Sequence, residues 1–132
     1  MSIAAFATGD HIAAMSPREI GRLGEDLAVR RLVRDGWTIH DRNFRTRRGE
    51  IDIVASDGDT LVFVEVKTRR PSHVGAGVHA VDENKVRRLR TMAGYYLMNR
   101  APAHSAIRID VMSIAVSVHA EPRIDHIQDV CS

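Results

Sequence analysis

Residues 49–67 read GEIDIVASDGDTLVFVEVK. The runs 51–55 and 61–66 are rich in isoleucine, valine and phenylalanine and flank Ser56-Asp57-Gly58-Asp59. An Asp-Gly pair between two such runs is a strong hairpin signal, so two paired strands are expected. With Asp57 and Gly58 as the loop, Ser56 faces Asp59, Val54 faces Leu61, Asp52 faces Phe63 and Glu50 faces Glu65. Side chains alternate along a strand, which puts Glu50, Asp52, Glu65 and Lys67 on one face. A bulge would send part of this set to the other face. Two glutamates directly opposite one another are destabilising, and Val54, Leu61 and Phe63 beside them limit hydration, so a positive charge is expected there.

Two sources of that charge fit. Lys67 and the nearby arginines could form a cross-strand ion-pair cluster. Alternatively, a hard divalent cation could bind, since Mg²⁺ is held by one or two carboxylates together with waters and phosphates. Lys67 points to the second. The chain has only two lysines, Lys67 and Lys85, among nineteen basic residues, and a compact ammonium is a point charge suited to a phosphate oxygen or a water.

Outward from the hairpin, Ser16-Pro17-Arg18-Glu19 has the capping-box pattern with proline at the first helical position, and Asp35-Gly36 supplies a stop. A first long helix over 17–35 follows, with Ile20, Leu23, Leu27 and Ala28 on its core stripe. Gly21 and Gly24 each cost roughly 1 kcal/mol there against alanine, which implies that a backbone or ligand comes close. Residues 37–44 alternate as an edge strand, with Trp37 as a core anchor. Residues 70–81, with Pro71, Gly75 and Gly77, read as a mobile loop. Asp82 caps a second helix whose apolar positions are Val86, Leu89, Ala93, Tyr96 and Leu97. Strands are expected at 107–116 and 124–127. Residues 1–15 show no period and read as a flexible extension, with Met15 as an alternative start, ahead of a single domain over 16–132. The order of elements gives an α/β fold, a small sheet with helices packed on it.

A chain of 132 residues, 44% of them hydrophobic, fits one domain that buries roughly two-thirds of its unfolded surface. No run approaches the ~18 apolar residues of a membrane span, and the start lacks the basic residues of a secretory signal. A soluble cytoplasmic protein is expected. A single cysteine, Cys131, excludes an internal disulfide and a multi-cysteine zinc site. The net charge of +2 is small. The arginines, however, gather as Arg45, Arg47 and Arg48 before the hairpin signature, Arg69 and Arg70 after it, and Arg87, Arg88 and Arg90 beyond, which favours a phosphate-facing surface.

Asp52 followed after a hairpin by Glu65-Val66-Lys67 resembles the PD-(D/E)xK nuclease signature. More closely, GRLGEDLAVRRL, RRGEIDIVA, VFVEVKTR, KVRRL and RIDV resemble the uncharacterised YraN-type family of that superfamily, itself similar to archaeal Holliday junction resolvases. The resemblance implies a restriction-endonuclease-like core, a small mixed sheet with a central hairpin flanked by helices. It also implies Asp52 and Glu65 as ligands of Mg²⁺ or Mn²⁺, Glu25 as a further acidic ligand, and Lys67 as the residue that orients the attacking water. Glu50 lies beside them. Ile51 stands where the signature's proline would be, a position variable across the superfamily.

On this reading the protein is a metal-dependent endonuclease. Arg45, Arg47, Arg48, Arg69, Arg70 and Lys85 contact the nucleic acid, with DNA favoured over RNA. No base-reading helix is evident, so branched or single-stranded substrates of repair or recombination are expected, with a homodimer and a repair partner as possible assemblies. The alternatives are a non-catalytic nucleic-acid-binding subunit of such an assembly and a nuclease that a partner completes. His40, His73, His79, His104, His119 and His126 lack ligand spacing and read as surface or loop residues. His11 lies in the extension, Tyr96 reads as core, and Tyr95 is a candidate for base stacking.

Overall fold

The hairpin lies at the middle of a five-stranded sheet in the computed structural model, which describes residues 9–70, 82–118 and 120–130. In chain order the elements are α1 (Gly9–Ala14), α2 (Pro17–Arg34), β1 (Thr38–Thr46), β2 (Gly49–Asp57), β3 (Thr60–Arg69), α3 (Glu83–Arg100), β4 (Ala106–Ala115) and β5 (Arg123–Ile127). The strands lie in sequence order, antiparallel throughout except for β3 and β4, which run parallel. Parallel neighbours need a long crossover, and α3 lies within it. A mixed sheet with a central hairpin and helices on both faces is the arrangement expected of a restriction-endonuclease-like core. No helix among the described residues is long and apolar enough to cross a membrane.

Local chemistry sets the ends of α2. Ser16 accepts from Glu19 N while the Glu19 side chain accepts from Ser16 N, closing the capping box. At the other end Gly36, at φ 91°, lets Trp37 N donate to Leu32 O and Gly36 N to Val33 O. Only a residue free to adopt positive φ can close both bonds of this terminus. Trp37 is thereby delivered into the same core as Leu32.

Two apolar layers hold the sheet. On one face Leu23, Leu27, Ala28 and Leu32 of α2 pack on Ile53, Val62, Val64 and Met112. On the other, Leu89, Met92 and Tyr96 of α3 pack on Ile51, Val54, Leu61 and Phe63. Tyr96 also ties α3 to the sheet edge: its hydroxyl donates to Asp41 Oδ2 at 2.6 Å, and its ring meets Phe44 and Phe63 edge-on. One glycine of α2 answers the expected close approach. A Cβ on Gly24 would lie 1.7 Å from Thr68 Oγ1 of β3, whereas one on Gly21 would meet nothing within 4 Å.

Three expectations are corrected. The loop of the hairpin is Gly58-Asp59, not Asp57-Gly58, so Asp57 pairs with Thr60 and Ser56 with Leu61. Gly58 takes φ 59° at the first loop position, where glycine suits the tight turns that match strand twist. The register therefore slips by two residues, which changes partners and preserves faces. Second, the extension expected to be flexible is helical where it is described: α1 buries Ile12 against the α2 side of the core. Third, His126 is not a surface residue. It contacts Asp110, a fully buried carboxylate, at 2.8 Å. Arg108 donates to both oxygens of Asp110, and Asp129 N donates to Oδ1. Trp37 lies against both the His126 ring and the Arg108 guanidinium. The loop expected over 70–81, apart from its first residue, lies outside the described residues, as do His73, His79, His119 and Cys131.

Candidate functional site

Strand β2 leaves its partner at Asp52. The β2–β3 ladder ends with Ile53 opposite Val64, while β2 continues alongside β1 to Gly49. Ile51 packs with α3 although Ile53, two residues on, packs with α2. A regular pleat would keep them on one face, so β2 rolls over at Asp52. Beyond the fork a side chain takes the place of the ladder: Val66 N on β3 donates to Asp52 Oδ2 at 2.7 Å.

The fork brings four carboxyl groups together. Glu25 of α2, Glu50 and Asp52 each offer an oxygen, all within 4.8 Å of one another. Glu65 of β3, only 6% exposed, meets Asp52 on the other side. Burial, more than any other cause, pushes the Asp52 carboxyl up to about 8. The Glu65 carboxyl beside it adds to the rise, as does the Glu25 charge, while the Val66 N–H opposes it. Two carboxyl groups in hydrogen-bond contact need one proton between them. Burial likewise raises the Glu25 carboxyl, with Asn43 and Arg42 opposing and Glu50 and Asp26 reinforcing.

Cations and one amide surround the cluster. Arg45 Nε donates to Glu50 Oε2 at 3.0 Å. Arg42 bonds Asp26 and lies 3.9 Å from Glu25. Lys85 of α3 reaches the buried carboxylate, its Nζ 2.7 Å from Glu65 Oε2. That oxygen nonetheless accepts no hydrogen bond. The ammonium is close enough to balance the charge, and lies off the direction that would use a lone pair. Asn43 turns its amide toward the carboxylates; with the nitrogen assigned to that side, the orientation that pairs a donor with two acceptors, it donates to Glu50 Oε1 at 2.9 Å and Glu25 Oε1 at 3.0 Å.

Beside the carboxylates is a cavity of about 200 Å³ lined by Gly49, Glu50, Asp52, Glu65, Lys85, Arg88, Leu89 and Met92. A larger groove of about 490 Å³ runs between α2 and β5, and Glu121 is its one carboxylate. The acidic cavity is therefore the stronger candidate site. Its donors are all oxygens, the set that suits a hard cation. A shared proton and a buried oxygen without a donor are also what a cation would relieve, so the residues fit a divalent ion.

Asp52, Glu65 and Glu25, the expected ligands, converge here, and Glu50 joins them. Lys67 is half-buried on β3, two residues beyond Glu65 and opposite Ser113 of β4, outside the lining of the cavity. Arg45, Arg47 and Arg48 are exposed on β1 and in the turn that follows it. Arg69 is half-buried at the end of β3, and Arg70 donates to Met15 O, tying that end to the chain before α2. Lys85 lines the cavity itself. Sequence reading missed Asn43. Its only signal was residue type, since asparagine tolerates the left-handed φ of 55° it adopts.

A family model described as "Uncharacterised protein family UPF0102" matches residues 24–114. Similar proteins include a UPF0102 protein of Mycobacterium sp. (strain JLS), 47% identical over 113 residues that make up 84% of each chain. A UPF0102 protein of Rhodococcus opacus (strain B4) is 44% identical over 110 residues, 83% of this chain and 93% of the relative. A third, from Dictyoglomus thermophilum, is 43% identical over 103 residues, 78% of this chain and 87% of the relative. The matched region contains Glu25, Glu50, Asp52, Glu65, Lys67 and Lys85.

Proposed function

The chain belongs to the uncharacterised protein family UPF0102, and from that membership and its acidic cavity we propose a metal-dependent endonuclease that hydrolyses phosphodiester bonds. The observation that carries this reading is the convergence of Asp52 and Glu65 at a fork in the sheet, with Glu25 and Glu50 beside them. A bound Mg²⁺ or Mn²⁺ ion would supply Lewis acidity at a phosphate oxygen. Asp52 and Glu65 would hold it, with Glu25 as a third acidic contributor. Lys67 adds a point charge on the same strand, suited to orienting the attacking water.

The exposed Arg45, Arg47 and Arg48 supply backbone contacts that carry no sequence information, so binding should weaken steeply with salt. DNA with branches or single-stranded ends, met in repair or recombination, is the substrate class this reading favours. A homodimer would place two cavities on a branched substrate.

A non-catalytic binding subunit is favoured by one observation: Lys85 already balances Glu65. The test is cleavage of end-labelled single-stranded, duplex, flapped and four-way-junction DNA in Mg²⁺, Mn²⁺ or EDTA, beside Asp52→Ala and Lys67→Ala. Metal-dependent cutting lost in both variants supports the nuclease. Binding without cutting in any metal, retained or improved in Asp52→Ala, supports the binding subunit.

A further inference from the structure

Of the four carboxyl groups at the fork, Glu50 has Arg45, Glu25 has Arg42 at longer range, and Asp52 accepts from Val66 N and lies against Glu65. The buried charge of Glu65 is balanced by Lys85. Lys85 is an unusual residue for its position. It is the third residue of α3, after the Asp82 cap, where the helix dipole disfavours a cation. It is also one of two lysines in a chain that otherwise uses arginine. Its side chain remains 40% exposed while that of Glu65 is 8% exposed, so the ammonium reaches into the cavity from a solvated stem. One helical turn further, the exposed Arg88 lines the same cavity.

We propose that Lys85 is an exchangeable counter-ion: it holds Glu65 in the metal-free protein and, when a divalent cation takes the carboxylates, turns to a substrate phosphate beside Arg88. The proposal rests on the nuclease reading and deepens it: Lys85, expected from the sequence to contact nucleic acid, is first held by Glu65 and released to the phosphate by the metal. The physical ground is competition. An ammonium 2.7 Å from Glu65 Oε2 and a divalent cation on the same carboxylate repel one another in a half-buried site. The off-axis contact leaves the lone pairs of that oxygen available to the stronger ligand. The flexible four-carbon stem lets the charge move, and a phosphate is the anion a displaced ammonium would find in a substrate-loaded cavity.

The test is a calorimetric titration of the full chain with Mn²⁺ in the absence of nucleic acid, for wild type, Lys85→Met, Lys85→Arg and Asp52→Asn. Lys85→Met should bind Mn²⁺ roughly ten-fold tighter, the scale of one like charge removed from beside an ion. Its melting temperature should be lower than wild type without metal and should rise more on adding Mn²⁺. Lys85→Arg keeps the charge and the fold and should bind Mn²⁺ no tighter than wild type. In Ca²⁺, Lys85→Met should bind a short oligothymidine more weakly, with a salt dependence reduced by about one phosphate contact. Equal or weaker Mn²⁺ binding by Lys85→Met, or unchanged oligothymidine binding, overturns the proposal. If wild type binds Mn²⁺ and Asp52→Asn does not, that failure belongs to Lys85 alone. If wild type binds none, the nuclease reading and the proposal fall together.

Discussion

Val66 on β3 donates its backbone N–H to the Asp52 side chain on β2 at 2.7 Å, a bond between two strands that no longer pair. The same carboxyl group lies against Glu65 and titrates near 8 because it is buried. Its folded pKa therefore exceeds its unfolded value. The stabilisation from holding that proton is complete below about pH 4 and is lost as pH rises through about 8. Asp52→Asn keeps the shape and removes the titration. In EDTA this variant should be more stable than wild type at pH 8, by on the order of 1–3 kcal/mol, with the gain gone at pH 4. Thermal melts of both proteins across that range check it. A gain independent of pH would mean that the carboxyl group is not protonated in the fold.

Gly24 and Gly21 separate two effects of alanine in one helix. At Gly21 the added methyl meets nothing within 4 Å, so Gly21→Ala should stabilise by roughly 0.5–1 kcal/mol through helix propensity. At Gly24 the methyl would fall 1.7 Å from Thr68 Oγ1 and 2.7 Å from Thr68 Cβ. Gly24→Ala should destabilise by about 1–3 kcal/mol as α2 is pushed from β3. It should also weaken Mn²⁺ binding, since Glu25 is the next residue. Urea melts distinguish the pair, and adding Thr68→Gly should recover most of the Gly24→Ala loss.

Asp110 offers the opposite titration from Asp52. Burial alone would raise it, but His126, Arg108 and the Asp129 N–H outweigh burial and hold it below the ordinary carboxylate range. Its contribution to stability is thus present above the unfolded pKa and lost as pH falls through the lowered folded value. Asp110→Ala would leave His126 without its carboxylate and Arg108 with only its longer ion pair to Asp57, at 3.5 Å. A loss of about 3–5 kcal/mol is expected, with amide exchange accelerating first in β5. Slow exchange in β5 of a folded Asp110→Ala protein would show that the strand is held by its ladder alone.

These residues also show what a reader of the sequence could see. The hairpin was legible because Asp57-Gly58-Asp59 sits between two strand-like runs, but that triplet offers two loop frames, Asp57-Gly58 and Gly58-Asp59. Both give the same alternation, so the faces of the paired stretch were legible while its pairs were not: the carboxyl-against-carboxyl contact expected between Glu50 and Glu65 is made by Asp52 and Glu65 instead. The departure of β2 from β3 has no local signature, because it depends on a side chain replacing a ladder bond. The contact of Lys85 with Glu65 and the place of His126 were not foreseen, for a related reason. Each meets its carboxylate through packing, Lys85 across from α3 to Glu65 and His126 across neighbouring strands to Asp110.

Asn43 tests whether the carboxylate cluster is organised from the sheet edge. It has two roles, a left-handed backbone at φ 55° and an amide that donates to both Glu50 and Glu25. Asn43→Gly preserves the first and removes the second. Without the donors, Glu25 and Glu50 repel one another more strongly, and the Glu25 carboxyl loses the hydrogen bond that opposes its rise. The expected cost is about 1 kcal/mol at pH 8, shrinking at pH 4 where protonation relieves the repulsion. Asn43→Ala loses the donors and also places a β-carbon in the left-handed region, which adds roughly 1–2 kcal/mol at every pH. Melts of the two variants at pH 4 and pH 8 therefore separate a pH-dependent term, common to both, from a pH-independent one found only in alanine. If glycine matches wild type at both pH values, the amide contributes nothing to the cluster and Asn43 serves the turn of the chain alone.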